Sequence, residues 1–324
     1  IRLDWPGALM VALGLGSLQL FVELLPSRGL GLSMILLCVF SLLVFVALFY
    51  WEKRCPEPLL PFEMFRNKSL AALFSLSLLA GFSMFAVLFY VPLLLQGGFG
   101  LTPQEAGVLI TPLVVCITIG SIINGRIITR LPNPNGMLYA GFSLLILSCL
   151  GIISMGQGTP GWIVIIYMML GGLGLGFVMP NLTVFAQETA GRSHLGIATA
   201  LLQSVRMIGG MLGTAIVGTL VTHYYISGVR QAAQGHQSAV WFKTLEDPQI
   251  LVNVSVQNRF LTQLHHLGLD GGSFIEAARL SLVGAVHSGV ALALLVAIIA
   301  LVWVRRVPFI SLSRRATVTV PAGE

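Results

Sequence analysis

Eight apolar runs, each long enough to cross a lipid bilayer as a helix, constrain the fold of this chain more than any other feature. A hydrocarbon core of about 30 Å requires roughly 20 apolar residues per spanning helix. The runs are approximately Trp5–Leu25, Ser33–Trp51, Ser69–Leu95, Glu105–Thr129, Gly136–Met155, Gly161–Phe185, Gly196–Val221 and Ser281–Val304. Only 9% of the 324 residues are charged, against about a quarter in soluble domains. The sequence therefore predicts an integral membrane protein.

The pattern within these runs predicts helices rather than strands. No run alternates apolar and polar residues as the strands of a membrane barrel do, and a helical bundle is the remaining structure that can span a bilayer. We therefore expect an all-α, polytopic membrane helical bundle. The sequence begins at Ile1 and enters the first run without a positively charged leader, so we expect it to be a fragment of a longer protein.

The distribution of Lys and Arg predicts the orientation of the bundle. With eight spans both ends lie on one side, and that side carries twelve of the eighteen basic residues. The opposite side carries five, and Arg206 lies inside a span. Because basic residues accumulate in cytoplasmic loops, we expect a multi-pass protein of the bacterial inner membrane with both ends cytoplasmic. The net charge of +6 then reflects topology and contact with membrane lipids, and we expect no nucleic-acid partner.

Three connecting segments complete the predicted organisation. Residues 53–68 form a cytoplasmic loop between the first two spans and the other six, and residues 306–324 form a cytoplasmic tail. Residues 223–278 face the outside, and within them the stretch 250–268 has apolar residues at loosely helical spacing. We expect a short amphipathic helix there.

Arg206 is the charged residue that lies deepest in any run. It lies about ten residues into its span, or roughly 15 Å deep at 1.5 Å per residue. Helical periodicity places Thr199, Gln203, Arg206, Gly210 and Gly213 along one stripe. A charge at this depth normally faces a bundle interior or a wet cavity, so we expect this stripe to face inward and to contribute Arg206, Gln203 and Thr199 to a transport cavity.

Two interpretations of Arg206 remain open at this point. It lines a pathway for a substrate or ion, or it is a structural pin that donates hydrogen bonds to carbonyl or polar groups of a neighbouring helix. In both cases Gly209 and Gly213, at small-xxx-small spacing, predict close approach of another helix.

The sixth span combines glycines with a proline. Gly172 and Gly176 predict tight packing, and Pro180 predicts a bend because its ring interrupts the helical hydrogen bonds. Asn181 follows Pro180 directly and is a further candidate for the cavity. These residues, with the glycines of the seventh span, suit a bundle whose helices move.

The sequence contains no constellation typical of an enzyme. No catalytic or metal-ligating motif occurs among its Cys, His, Ser and acidic residues, so we expect no enzyme, no metal site and no bound cofactor. No Asp or Glu lies at mid-depth in a span. If transport is driven by a proton gradient, the coupling carboxylate must lie outside this sequence.

Five segments, in this order, resemble a known family. They are "LDWPGALMVALGLGSLQLFVE" (3–23), "PLLPFEMFRNKSL" (58–70), "LTPQEAGVLITPL" (101–113), "GGLGLGFVMP" (171–180) and "GIATALLQSVRMIGGMLGTAIVGT" (196–219). Together they resemble the EmrB/QacA-type, fourteen-helix drug:proton antiporters of the major facilitator superfamily. The resemblance implies that residues 1–52 are two linker transmembrane helices, and that residues 69–305 are the C-terminal six-helix half of a transporter. The N-terminal six helices would then be a missing partner.

The resemblance also implies a function. We expect a proton-coupled multidrug efflux antiporter of the plasma membrane that confers drug resistance by exporting hydrophobic or amphiphilic small molecules through alternating access. Phe85 would contribute apolar surface to its cavity. Alternatives are export of an endogenous metabolite, lipid or siderophore on the same scaffold, or a membrane subunit that docks a periplasmic adaptor protein through residues 223–278.

One loop departs from the family pattern. The family carries Gly-Arg-x-x-Asp-Arg between the second and third helices of each half, and here Gly125, Arg126 and Arg130 match while Thr129 replaces the acid. The resemblance therefore implies that Arg126 and Arg130 cap helix ends at a cytoplasmic gate, without a charge relay.

Overall fold

The chain is helical throughout the part that the structure, a computed structural model, describes: residues 5–28, 31–54, 67–131, 133–191, 194–233 and 241–307. The α-helices are α1 (Trp5–Arg28), α2 (Leu32–Glu52), α3 (Lys68–Leu93), α4 (Pro103–Ile127), α5 (Asn135–Ser154), α6 (Gly161–Ala190), α7 (Leu195–Ala232), α8 (Phe242–Leu245), α9 (Val254–His266) and α10 (Gly271–Trp303). A π-helical turn, Leu94–Gly98, continues α3.

Seven of these helices are long and apolar enough to cross a membrane, namely α2 to α7 and α10 with the short turns that extend them. The remaining predicted span is the first in the chain. It corresponds to α1, whose apolar part is the shorter stretch Trp5–Phe21. The prediction of an all-α membrane bundle is confirmed. The predicted cytoplasmic loop and tail lie mostly in 55–66 and 308–324, outside the described residues.

The two helices that flank the predicted outer loop are longer than the sequence pattern indicated. The expected span ended at Val221, but α7 continues to Ala232 because Tyr225 and Val229 extend its buried stripe by two turns. Helix α10 begins at Gly271 rather than Ser281, since the Asp270 side chain accepts a hydrogen bond from the Gly272 amide and caps the helix. The segment between the two helices is therefore shorter than the expected 223–278.

Residues 241–270, called here the end cap, fold back onto the bundle. The expected amphipathic helix is α9, which begins after Asn253, whose side chain accepts hydrogen bonds from two backbone amides. It buries Phe260 and Leu264 and exposes its polar face. The Tyr225 hydroxyl donates to the Leu245 carbonyl at 2.8 Å, so the cap is fixed to the extended end of α7.

Helix α6 lies at the centre of the six-helix bundle. It packs against α4, α5, α3 and α7, while α3 and α7 pack against each other and against α10. Helices α1 and α2 form a hairpin that contacts the bundle through α7. Because lipid is as apolar as the side chains, such contacts depend on close packing and on hydrogen bonds between helices rather than on the hydrophobic effect.

Candidate functional site

Arg206 lies on α7 where this helix runs alongside α3. Hydrogen bonds from α3 side chains to α7 carbonyls hold the two helices together on either side of it. The Ser77 hydroxyl donates to the Leu202 carbonyl at 2.9 Å, and the Tyr90 hydroxyl donates to the Thr214 carbonyl at 2.8 Å. Sliding of one helix along the other would break both hydrogen bonds. They therefore fix the position of Arg206 along α3.

Glycines bring the two backbones together at this contact. A Cβ at Gly81 of α3 would collide with the Arg206 carbonyl oxygen, and one at Gly209 of α7 would collide with that of Leu78. At Gly213 a Cβ would lie 2.6 Å from the Phe82 carbonyl oxygen. The small-xxx-small spacing of Gly209 and Gly213 thus marks the close helix approach that the sequence predicted.

The guanidinium of Arg206 is buried and lacks partners. Arg206 is 8% exposed, and neither its Nε nor its Nη2 has a hydrogen-bond partner among the described residues. The salt bridge found in the described part of the chain, between Arg230 and Glu246, lies elsewhere. The structural-pin interpretation requires hydrogen bonds from this side chain to a neighbouring helix. The unpaired Nε and Nη2 do not support it.

The buried face of α7 contains three of the five residues of the predicted stripe. Arg206, Gly210 and Gly213 are buried, whereas Gln203 is exposed. Gly209, beside the predicted stripe, is also buried, because α3 packs on both Gly209 and Gly210. Thr199 is half-buried, and its hydroxyl forms hydrogen bonds with nearby groups.

The hydroxyl of Thr199 donates to the Leu195 carbonyl and accepts a hydrogen bond from the Gln187 side chain, both at 2.8 Å. Thr199 therefore ties α7 to the end of α6. The structure does not bring it together with Arg206, which lies two turns further along the helix.

Phe85 lies one helical turn from the level of Arg206 along the same contact. Its ring packs on Gly210, one turn beyond Arg206, where a Cβ would lie 2.6 Å from the ring. It stacks on Phe89 with ring centroids 6.0 Å apart, and Phe89 is 56% exposed. The α3–α7 contact thus contains a buried cation and, one to two turns further along, a partly exposed aromatic pair.

The second close contact lies between α4 and α6. A Cβ at Gly172 would collide with the Leu113 carbonyl oxygen, and one at Gly176 would lie 2.5 Å from the Ile117 carbonyl oxygen. Gly174, between them in sequence, faces α5 instead, with its Cβ position 2.6 Å from the Gly141 carbonyl oxygen. The glycine-rich run of the sixth span therefore packs α6 closely against two neighbours at once.

Asn181 lies inside this contact rather than at an open cavity surface. Its side-chain nitrogen donates to Asn124 Oδ1 at 2.8 Å and to the Phe177 carbonyl, also at 2.8 Å, and Asn124 Nδ2 donates back to Asn181 Oδ1 at 3.1 Å. Asn181 and Asn124 are 0% and 1% exposed. The sequence prediction missed Asn124, although a lone amide in an apolar run is itself an indication of an interhelical hydrogen bond.

Pro180 lies within α6, which continues past it to Ala190. Proline has no N–H, so the Gly176 carbonyl, four residues earlier, loses its helical donor. The Ser121 hydroxyl of α4 lies 3.4 Å from this carbonyl oxygen while donating to the Ile117 carbonyl at 2.8 Å. The hydroxyl has one proton, so Ser121 can donate either within α4 or, across the contact, to the carbonyl that the proline leaves free.

Arg126 and Arg130 are exposed at the end of α4. Arg126 lies in the last turn of the helix and Arg130 in the 3₁₀ turn that follows, Ile128–Arg130. Positive charge at this end is favourable for the helix dipole.

Comparisons with known proteins agree with this architecture. The family described as Major Facilitator Superfamily matches residues 6–214. A bacterial homologue of the human lysosomal transporter Spinster, solved in an inward-facing and unoccupied conformation, is similar in fold with a TM-score of 0.54 and 16% identity, covering 92% of this chain and 68% of that chain.

Several curated relatives are resistance or export proteins. The chain is 35% identical over 181 residues to the tetracenomycin C resistance and export protein of Streptomyces glaucescens, which covers 56% of this chain and 34% of that protein. It is 30% identical over 185 residues to the multidrug transporter protein MdtP of Bacillus subtilis, covering 56% and 33%. It is 25% identical over 267 residues to multidrug resistance protein 3 of the same species, covering 80% and 51%.

The chain spans about a third to a half of the length of these relatives. The family match covers well over half of the chain, from α1 to the middle of α7, and the fold similarity extends over nearly all of it. The chain therefore belongs to the Major Facilitator Superfamily and is an integral, multi-pass membrane protein of a class of transporters rather than enzymes.

Proposed function

We propose that this chain is part of a proton-coupled efflux antiporter that exports hydrophobic or amphiphilic compounds by alternating access. The observation that carries the proposal is the buried guanidinium of Arg206, whose Nε and Nη2 have no hydrogen-bond partner among the described residues. Ionisable groups inside a membrane are expensive and usually mark a transport pathway. The names of the relatives, which include resistance and export proteins, support export as the direction of transport.

The arrangement supports rocking of rigid groups of helices. Helices α3 and α7 are joined by glycine contacts and hydrogen bonds, and so are α4 and α6. In transporters of this kind alternating access is largely a rigid-body movement of one helical repeat against another around a midplane site. We propose that Gly172, Gly176 and Gly209 maintain these rigid groups, while Arg126 and Arg130 contribute to a cytoplasmic gate.

The proposed partners are six further helices of the same transporter, membrane lipids and the exported compound. Several apolar side chains on α4 and α7 are exposed in the described structure. Among them are Val108, Val114 and Ile216, which are 67%, 54% and 48% exposed. Such surfaces suit contact with lipid or with other transmembrane helices. By the Lys/Arg distribution we propose the bacterial cytoplasmic membrane with the loop after α4 on the cytoplasmic side.

The proton gradient is the proposed energy source, with the coupling acid on the further helices. The acidic residues of the described part lie at or near helix ends, as Glu105, Glu188 and Glu276 illustrate. A carboxylate that takes up and releases protons during transport is expected at membrane depth. Among the described residues none forms an ion pair with Arg206.

Drug susceptibility in a pump-deficient bacterial host tests this function. The natural full-length gene should raise the tolerated dose of lipophilic compounds, and energised cells should expel a fluorescent lipophilic dye until a protonophore dissipates the gradient. Unchanged susceptibility together with dye retention would contradict efflux. Efflux that persists after protonophore treatment would contradict proton coupling alone. A periplasmic adaptor that co-purifies through the end cap would indicate the docking-subunit alternative.

A further inference from the structure

Arg206 has no counter-charge among the residues that the structure describes. The sequence contains twelve Asp and Glu residues, and all of them lie at or beyond the ends of the predicted spans. In the described part of the chain no carboxylate forms an ion pair with Arg206, and its Nε and Nη2 are enclosed without any acceptor. The buried charge is therefore uncompensated in this structure.

An uncompensated buried charge is a binding site for an ion of opposite sign. Leaving one member of a buried ion pair alone is strongly unfavourable, and a guanidinium offers a planar fork of N–H donors that fits a carboxylate with two parallel hydrogen bonds. The glycine contact at Gly81 holds the backbone of Arg206 against α3. The position of Arg206 suits an oxyanion that comes to it.

Apolar side chains within about two helical turns of Arg206 suit an aromatic or otherwise apolar body. Phe85 packs on Gly210, one helical turn from Arg206, and stacks on Phe89. Phe89 and Met207 are 56% and 40% exposed. Aromatic and thioether side chains bind flat, apolar groups of varied shape.

We infer, on the basis of the proposed function, that the exported compounds include amphiphilic anions, and that Arg206 binds their carboxylate or comparable oxyanion. Phe85 and Phe89 then bind the apolar body of the same molecule. Arg206 is thereby a determinant of substrate charge, and a compound that lacks the oxyanion gains only the aromatic contact.

A pair of dyes that differ in one charge tests this inference. A fluorescent xanthene dye is supplied to energised cells as its free carboxylic acid and as its methyl ester, and the initial rate of efflux from loaded cells is measured for each. The variants are Arg206→Met, which keeps length and removes charge, and Arg206→Lys, which keeps charge and loses the fork. Arg259→Met, at an exposed arginine on α9, is the matched control, and the amount of each variant in the membrane is measured.

Arg206→Met is expected to slow efflux of the acid by about tenfold or more, the range for loss of a buried charge partner, and that of the ester by less than about twofold. Arg206→Lys is expected to give an intermediate loss for the acid alone. Arg259→Met should leave both rates unchanged.

Three outcomes would overturn the inference. Equal loss for acid and ester in Arg206→Met would indicate that Arg206 pairs with a carboxylate of the protein and serves assembly or coupling. Efflux of the ester alone by the natural protein would show that the site rejects anions, while leaving the proposed function intact. Failure of the natural protein to expel either dye, or any lipophilic compound, would contradict the proposed function itself.

Discussion

The contacts α3–α7 and α4–α6 are built in the same way and differ in one respect. Both use glycines to bring two backbones together, and both enclose a polar side chain. At α4–α6 the enclosed groups are Asn124 and Asn181, which satisfy each other. At α3–α7 the enclosed group is Arg206, whose Nε and Nη2 have no partner. The paired amides of Asn124 and Asn181 therefore stabilise the fold, whereas the unpaired guanidinium of Arg206 lowers its stability.

The largest expected effect is loss of the α3–α7 contact. In Gly209→Leu the new side chain would collide with the Leu78 backbone, so the free energy of unfolding should fall by about 1 to 3 kcal/mol or more. Thermal unfolding of the purified protein in detergent measures this change. Gly284→Leu is the control, because a Cβ at Gly284 meets nothing within 4 Å. Equal effects of the two changes would contradict the role of close packing.

Arg206→Met should change stability in the opposite direction. Replacing buried ionic groups with apolar side chains of similar volume is often neutral or stabilising by about 1 to 4 kcal/mol. The same unfolding measurement, beside the efflux assay, should therefore show a variant that is at least as stable as the natural protein but impaired in transport. A loss of stability would assign Arg206 a structural role and remove the difference between the two contacts.

Asn124→Leu should destabilise the α4–α6 contact. It leaves the Asn181 amide buried with one partner fewer, which is expected to cost about 1 to 3 kcal/mol. The double variant Asn124→Leu, Asn181→Leu removes both amides and should recover part of the loss, as measured by a double-mutant cycle. Strict additivity of the two single changes would show that the amides do not interact.

The smallest expected effect is that of Ser121→Ala. This change removes the donor that lies near the Gly176 carbonyl, and about 0.5 to 1.5 kcal/mol of stability should be lost. Thr111→Ala is the matched control, since the Thr111 hydroxyl donates to the Gly107 carbonyl of its own helix at 2.8 Å. If both changes have the same effect, Ser121 contributes nothing between the helices. Introducing Pro180→Ala into Ser121→Ala should restore the loss, because the Gly176 carbonyl regains its helical N–H.

Much of the candidate site could be predicted from the spacing of residues in the sequence. The residues that could not be predicted have one cause in common. Gly209, Gly213, Gly172 and Gly176 could be assigned to helix contacts because small residues four apart align on one face. Gln203 was placed incorrectly, because it is exposed although Arg206 and Gly210 of the same predicted stripe are buried. Periodicity gives the angle between side chains on one helix but not the direction in which a neighbour lies.

Asn124 illustrates the same limit across two helices. It and Asn181 are 57 residues apart in the chain, and either amide alone is compatible with a cavity, a lipid-facing defect or a pair. Only the packing of α4 on α6 shows that they satisfy each other. The lengthening of α7 to Ala232 has a similar origin, because Tyr225 contacts the end cap, where its hydroxyl donates to the Leu245 carbonyl.

The sequence by itself determined that the chain crosses a membrane several times as helices, since a bilayer excludes every backbone conformation that leaves hydrogen bonds unmade. It also determined which helix carries a buried charge. The tertiary structure alone decided that this charge is unpaired while the amides are paired, because satisfaction of a polar group depends on which helices are neighbours and on their rotation. Those are properties of the packed bundle, and no single helix contains them.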